Sequence, residues 1–429
     1  MRKGSRKVLV TTRLLVIGLA CLCVAFRPSS ADPAPLAFRH GISIHHALNW
    51  ASMQAGGRYV FPPFADPSHL LAQADLNRIR DTGFDFVRLT VDPGPFLQFE
   101  GAERDALDQI LLARVHMILQ SGLNVIVDFH PNNQNPAYRP LALVESIQTP
   151  LFKAYVEAVA RTARLLGTLP GERVMFEPMN EPQVGWDASG CAKWQAMIQA
   201  IYGKVRQAAP RLALVLTGGS GGSANGLLAL DAAPFASDPR VTFTFHYYLR
   251  YEFTHQSVEG NAETKFLSAV PYPANSLVEE ESNQSLASAV ARSNLSPQQK
   301  TDALAAGKKS LAAYFASGFD RSAINASFAR IAGWADHYGI SRSRILLGEF
   351  GVARTHAGHR RAGDPDRERW LSDVRQLAES YGWAWAVWAF RGEGGMALVQ
   401  NDSPGAPLDV VAVRALGLVA TSAAIPAPQ

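Results

Sequence analysis

The chain is short of cysteine, of charge and of long apolar runs, and each shortage narrows what it can be. Its 429 residues include three cysteines, and two of them, Cys21 and Cys23, fall within the first 31 residues. A chain trimmed there keeps only Cys191, so no intrachain disulfide can form and the fold has to stand on its core. No partner motif for a nucleophilic thiol surrounds Cys191, which reads as a buried or semi-buried side chain. Charged residues make up 18% of the chain, below the ~25% of ordinary soluble domains. The 47% of hydrophobic residues is ample for a large core and excludes a mainly disordered chain. There is no internal repeat, and no Lys falls on any predicted strand, which argues against a Schiff-base aldolase.

Acidic residues are missing from the first 31 positions, where six basic ones stand: Arg2, Lys3, Arg6, Lys7, Arg13 and Arg27. Thirteen apolar residues, LLVIGLACLCVAF, follow the basic stretch, and small residues ending Ser29-Ser30-Ala31 come after them. This is the layout of a secretory signal, with cleavage expected after Ala31. The apolar run is shorter than the ~20 residues that span a bilayer, although an uncleaved anchor is the alternative. The expected mature chain, 32–429, is a single catalytic domain, secreted or periplasmic, with no membrane contact beyond export. Without the leader the formal charge of +4 becomes 35 basic against 37 acidic residues, or −2. No global electrostatic attraction to nucleic acid or anionic membrane remains.

Past residue 40 the sequence alternates short apolar runs with longer helical patterns. Strand patterns fall at 41–45, 84–90, 124–130, 174–178, 212–217, 241–248, 344–350 and 383–390. Helical patterns fall near 69–82, 103–121, 151–167, 192–208, 225–230, 324–338, 366–381 and 409–417. Runs such as VIVDF, LALVL and ILLGEF suit a parallel sheet buried on both faces. Eight βα units predict an α/β fold of the (β/α)8 TIM barrel type, over a doubly wound sheet. No nucleotide loop supports the second: GGSGG at 218–222 lacks a Gly-Lys-Ser/Thr completion and reads as a tight barrel loop. The stretch at about 256–322, between strands six and seven, is rich in Ser, Ala, Gln and Glu. Within it Ser296-Pro297-Gln298-Gln299 carries a helix start, so a mostly helical insertion at the barrel mouth is expected.

In such a barrel function collects at the C-terminal strand ends. There the sequence sets His45 and His46, Arg88, Asp128-Phe129-His130, Asn180-Glu181-Pro182, His246-Tyr247-Tyr248, Gly348-Glu349-Phe350, and Trp385 with Trp388. Glu181 and Glu349 each follow an apolar strand, three strands apart around the ring, so both can face one cleft. Paired carboxylates are the minimum equipment for cleaving a glycosidic bond: one protonates the leaving oxygen and the other attacks or activates. Each also has a plainer reading, as a strand-end Glu paired with an Arg. His130 and His246 can equally be buried, hydrogen-bonded histidines, and Trp388 plain core. No HExxH or cysteine-based zinc pattern is present. No metal or other cofactor is therefore expected, and the loose pair His356 and His359 reads as solvated.

GISIHHALNW, FDFVRLT, VIVDFH, FEPMNEP, FHYY, LLGEFG and VWAF, in this order, resemble glycoside hydrolase family 5, the cellulase-like retaining β-glycanases. The resemblance runs from about residue 41 to 391; the 256–322 insertion departs from the family's compact pattern. It implies that Glu181 is the general acid/base and Glu349 the nucleophile. It further implies that Asn180 hydrogen-bonds the sugar 2-hydroxyl, that Arg88 and Tyr248 position the nucleophile, that His130 and His246 are active-site histidines and that Trp388 stacks on sugar. His46 is assigned to substrate binding, with His45 competing for that role. Trp50, Tyr59, Phe61 and Trp186 lie in loops where exposed aromatics form further subsites or simply pack.

The expected function is a secreted retaining endo-β-1,4-glucanase, a monomer whose partner is its polysaccharide or oligosaccharide substrate. The alternatives are a β-mannanase, an exo-β-glucosidase-like enzyme, an exopolysaccharide hydrolase, and a carbohydrate-binding pseudoenzyme.

Overall fold

Eight parallel strands close on themselves in sequence order: β1 His40–Leu48, β2 Phe86–Val91, β3 Asn124–Phe129, β4 Val174–Glu177, β5 Ala213–Thr217, β6 Val241–His246, β7 Ile345–Phe350 and β8 Ala384–Val387. The computed structural model describes Met1 and residues 38–258, 261–354, 361–392 and 395–419. The leader with its expected cleavage point, and His356 and His359, lie outside the described residues. No helix among the described residues is long and apolar enough to cross a membrane.

The local chemistry explains the boundaries. β2, β3, β5 and β7 are apolar runs of which nearly every residue is buried, as expected for strands covered on both faces. The intervening helices start at side-chain caps. Thr149 accepts from the Phe152 amide ahead of Pro150–Leu166, Asp187 caps Ala188–Ala208, and Asp320 caps Arg321–His337. Gly83 closes Gln73–Thr82 at φ 110°, a left-handed position at which a side chain is strained.

The insertion between β6 and β7 holds helices Glu279–Arg292 and Pro297–Ala316. The second begins with a full capping box between Ser296 and Gln299, the signal read from sequence. The insertion is tied to the barrel layer through Tyr272, whose hydroxyl donates to Asp373 at 2.8 Å and whose carbonyl accepts from Arg369 at 2.6 Å. Shorter helical turns at Gly94–Gln98, Pro140–Leu143, Ala233–Ala236 and Tyr251–Thr254 carry too few residues to show a period and are not foreseen.

Inside the barrel the N-terminal end is plugged by Phe38, Phe86, Ile126, Met175, Ala213, Val215, Leu346 and Ala386. Two-residue alternation along each strand stacks a polar layer above this plug, beginning with Ser43, Arg88, Asp128 and Glu177. The plug is tight: a Cβ on Gly41 would come within 2.1 Å of the Phe86 ring. Gly41→Ala is expected to cost about 1–3 kcal/mol, read as a lower melting temperature. Gly333→Ala, on an exposed helix position with nothing within 4 Å, should be neutral or gain up to ~1 kcal/mol. Equal melting temperatures for the two variants would contradict the packing described.

Candidate active site

Arg88 organises the C-terminal end of the barrel. It is completely buried, and β2 aims it up the axis. Its Nε and Nη2 donate to the two oxygens of Glu177 at 2.7 and 3.0 Å. Nη2 also donates to Asn180 Oδ1 at 2.8 Å, and Nη1 donates to Glu349 Oε1 at 2.6 Å. Asp128 Oδ2 stands 2.9 Å from Nη2. Burial alone would lower the Arg88 pKa, but the charges of Asp128, Glu177 and Glu349 outweigh it and hold the guanidinium firmly protonated. Burial raises Glu177 and pushes Asp128 up to about 7, in both cases against the pull of Arg88.

Simple alternation does not account for the placement of Glu349. Leu346 lies in the inner plug, so two-residue alternation would turn Gly348 inward and Glu349 out. The register of β7 shifts on both sides, between Phe245 and His246 against β6 and between Leu347 and Phe350 against β8. Irregularities of this kind re-aim a side chain, and here Glu349 comes to face Arg88. Gly348 has no room for a side chain, since a Cβ would lie 2.3 Å from Thr244 Oγ1.

Glu349 Oε2 accepts from the Tyr248 hydroxyl at 3.0 Å. Burial and the adjacent Glu349 charge raise the Tyr248 pKa, so it serves as a donor. His246 Nδ1 lies 2.8 Å from Glu181 Oε1 and 3.5 Å from Glu349 Oε2, and burial lowers its pKa. One oxygen of Glu181, one of Glu349 and a nitrogen of His246 thus fall within 4.8 Å of one another. A cation placed among them would have to displace these hydrogen bonds and sit beside Arg88, so the donor set suits hydrogen bonding better than metal binding.

Glu181 follows Asn180 on the loop after β4 at φ 38°, a backbone region that costs a non-glycine residue of order 1–3 kcal/mol. The β5 loop holds it there: the amides of Ser220 and Gly221 donate to the Val184 and Pro182 carbonyls at 2.6 and 3.1 Å. GGSGG is therefore a clasp on the β4 loop. The Glu181 side chain keeps 36% exposure, yet enough protein surrounds it that burial, opposed by Arg88, pushes its pKa up to about 7. It is the more accessible of the two carboxylic acids.

A cluster of aromatic rings adjoins Asn180, whose Nδ2 lies 3.2 Å from His130 Nε2. Trp388 stacks on His130 with ring centres 5.5 Å apart and planes at 16°, and His45 meets both rings at 4.7 and 5.1 Å. His45 Nδ1 also lies 3.1 Å from Thr90 Oγ1. The two histidines of strand one part here. Alternation from inward Ser43 brings His45, not His46, to the cluster. His46 turns instead into a neighbouring cavity of about 380 Å³, lined also by Trp50, Gln134, Arg391 and Asp402. Of the loop aromatics, Tyr59 is buried and donates to Asp92, Phe61 packs on Phe99, Trp50 meets the His45 edge, and Trp186 is 69% exposed. Cys191 is half-buried.

The profile of Cellulase (glycosyl hydrolase family 5) matches residues 47–394. The chain belongs to glycosyl hydrolase family 5. It is 22% identical to Endoglucanase 3 of Fibrobacter succinogenes over 347 residues, 77% of this chain and 47% of that protein. It is 25% identical to Cellodextrinase A of Ruminococcus flavefaciens over 205 residues, 44% of this chain and 54% of that protein. The chain thus spans about half the length of these two relatives. Among solved structures, Cel5A of Thermotoga maritima in complex with cellobiose superposes with a TM-score of 0.61 at 18% identity, covering 88% of this chain and 97% of that one. A family 5 lichenase from Caldicellulosiruptor sp. F32 gives 0.59 at 13% identity, covering 97% and 99%. These likenesses show that the barrel of this family 5 member is the fold its neighbours share.

Every residue expected at the site except His46 joins one hydrogen-bonded or stacked cluster. Asp128, Glu177 and His45 belong to it too. A charged side chain inside an otherwise apolar strand, as in VIVDF and VMFE, is the signal that could have revealed the first two. Arg88→Met should cost about 3–5 kcal/mol, the usual price of stranding buried charges, with turnover lost, and Arg88→Lys should recover only part of both because it lacks the planar fork. Chemical denaturation and assay of the two variants check this; wild-type stability in Arg88→Met would contradict it.

Proposed function

We propose that this chain is a retaining β-glycan hydrolase working by double displacement, with Glu349 as nucleophile and Glu181 as acid and then base. The proximity of the two carboxyl groups supports the reading. One oxygen of each lies within 4.8 Å of the other, which is closer to the ~5–5.5 Å spacing of retaining enzymes than to the ~6.5–9.5 Å of inverting ones.

The division of labour follows from the surroundings. Glu349 has its oxygens engaged by Arg88 and Tyr248, which fixes it for in-line attack on the anomeric carbon. Glu181, with its pKa near 7, holds a proton for the leaving oxygen in the first step. Once that proton is gone, the same carboxylate takes one from the water that releases the glycosyl-enzyme. Asn180 offers its amide nitrogen to the 2-hydroxyl of the reacting sugar, and Trp388 offers a face for the ring's C–H surface. Intact supporting groups around both glutamates favour an enzyme over a carbohydrate-binding pseudoenzyme.

For the substrate we favour β-1,4-glucan cut internally, supported by the family and by relatives named endoglucanase and cellodextrinase. β-Mannan, exo action and an exopolysaccharide remain alternatives that a panel of purified glycans separates. We also read residues 1–31 as an export leader to the periplasm or medium, supported by the basic, apolar, small-residue layout.

Three outcomes are expected. Glu349→Gln should lower turnover by several orders of magnitude without changing the melting profile. For the wild type, kcat/KM should fall as pH rises through about 7, because deprotonating Glu181 removes the acid. Glu181→Gln should lack that alkaline limb and lose about 10²–10⁴-fold on substrates with poor leaving groups, but far less on activated aryl glycosides. Wild-type-like hydrolysis by both variants would refute the assignment.

A further inference from the structure

We propose that Asp128 is a positioning residue: it sets the tautomer of His130, and through that ring it orients the Asn180 amide toward the 2-hydroxyl of the sugar being cleaved. The inference rests on the reading of Glu181 and Glu349 given above and extends it to a side chain that touches no substrate.

The geometry leaves one consistent assignment of hydrogens. Asp128 is fully buried at the end of β3, and its Oδ2 lies 2.7 Å from His130 Nδ1. A carboxylate oxygen there accepts, so Nδ1 carries the ring proton. Oδ2 accepts whether or not the carboxyl binds a proton, because the other oxygen, Oδ1, is buried without a partner and is the one free to carry it. His130 Nε2 is then a lone-pair acceptor, and Asn180 Nδ2 lies 3.2 Å from it. At the other end of the amide, Asn180 Oδ1 accepts from Arg88 Nη2 at 2.8 Å. Both ends are specified, and the second Nδ2 hydrogen is what remains to aim into the cleft.

The opposite tautomer fails on the same contacts. A proton on Nε2 would face the Asn180 NH₂ donor to donor. Flipping the amide to relieve that would set NH₂ against the Arg88 guanidinium, again donor to donor. The ring cannot easily rotate away, since Trp388 stacks on it and His45 abuts it. Protonating both nitrogens is also disfavoured, because burial, with Arg88 nearby, holds the His130 pKa down to about 3. Thus Asp128 keeps the amide in the orientation that donates to the 2-hydroxyl, a contact that strengthens in the transition state of retaining enzymes.

The test compares an aryl β-cellobioside with its analogue lacking the 2-hydroxyl on the reacting sugar. Asp128→Ala should lower kcat/KM for the 2-hydroxy substrate by about 100-fold, the scale of a modest misplacement in an active site, with little change for the 2-deoxy substrate. Asp128→Asn can still present a carbonyl oxygen to Nδ1 and should restore most of the difference. Equal losses on both substrates, or no loss on either, would overturn the proposal. Should Asp128→Ala fail to fold, ¹⁵N NMR of the wild type decides: the His130 signal, assigned by its loss in His130→Gln, should show the Nδ1–H tautomer, and the Nε2–H form would overturn the proposal. Glu349→Gln run alongside separates the two levels. If it keeps wild-type turnover, the site reading itself fails; if it is inactive while Asp128→Ala affects both substrates alike, only the role of Asp128 fails.

Discussion

A single guanidinium, sealed from water, holds the upper barrel together. Arg88 lies within 2.9 Å of oxygens from Asp128, Glu177 and Glu349, each contributed by a different strand. Such a cluster is costly to bury, and only good geometry with further hydrogen bonds repays the desolvation. The apolar plug below excludes water, and the fork shape of the guanidinium sets the angles. The direction in which Glu349 points is thus a consequence of satisfying a buried charge. Negative charge in excess of positive charge within one enclosed volume also means that the carboxyl groups cannot all ionise freely. Burial is the main reason that the pKa values of Asp128, Glu177 and Glu181 are raised, and a neighbouring carboxylate adds to it at Asp128 and Glu177.

The same layer divides the site between two kinds of backbone. Glu177, Asp128 and Arg88 stand on regular strand, where alternation fixes their direction. The two glutamates that face the cleft stand on irregular backbone: Glu181 at positive φ on a loop clasped by its neighbour, and Glu349 on a strand whose register slips against both flanks. Irregular backbone at reacting groups and regular backbone beneath them is a sound division, because the rigid layer absorbs the strain of the upper one.

Much of this was legible in the amino-acid sequence. Apolar runs alternating with helical patterns gave every strand within a few residues, and Ser296-Pro297 marked an insertion helix to the residue. Glu181 and Glu349 stood out because strand ends are where polar groups gather. Three things were not legible. Which of His45 and His46 faces the cluster depends on pleat phase, and the phase is set by the pairing of Ser43 with Arg88. The re-aiming of Glu349 depends on a register slip that no local motif announces. Asp128 was noted only as a strand-end residue without a role, and Glu177 was passed over, because their partner, Arg88, is 40 and 89 residues away and only barrel closure brings them together. In each case the missing information is tertiary pairing, not local propensity.

The central claim, that Glu349 attacks the anomeric carbon, is tested most directly by trapping. A 2-deoxy-2-fluoro β-glycoside with an activated leaving group should accumulate as a covalent glycosyl-enzyme. Mass spectrometry of the digested protein should then find one added sugar mass on the peptide carrying Glu349. A sugar attached at any other residue would contradict the account.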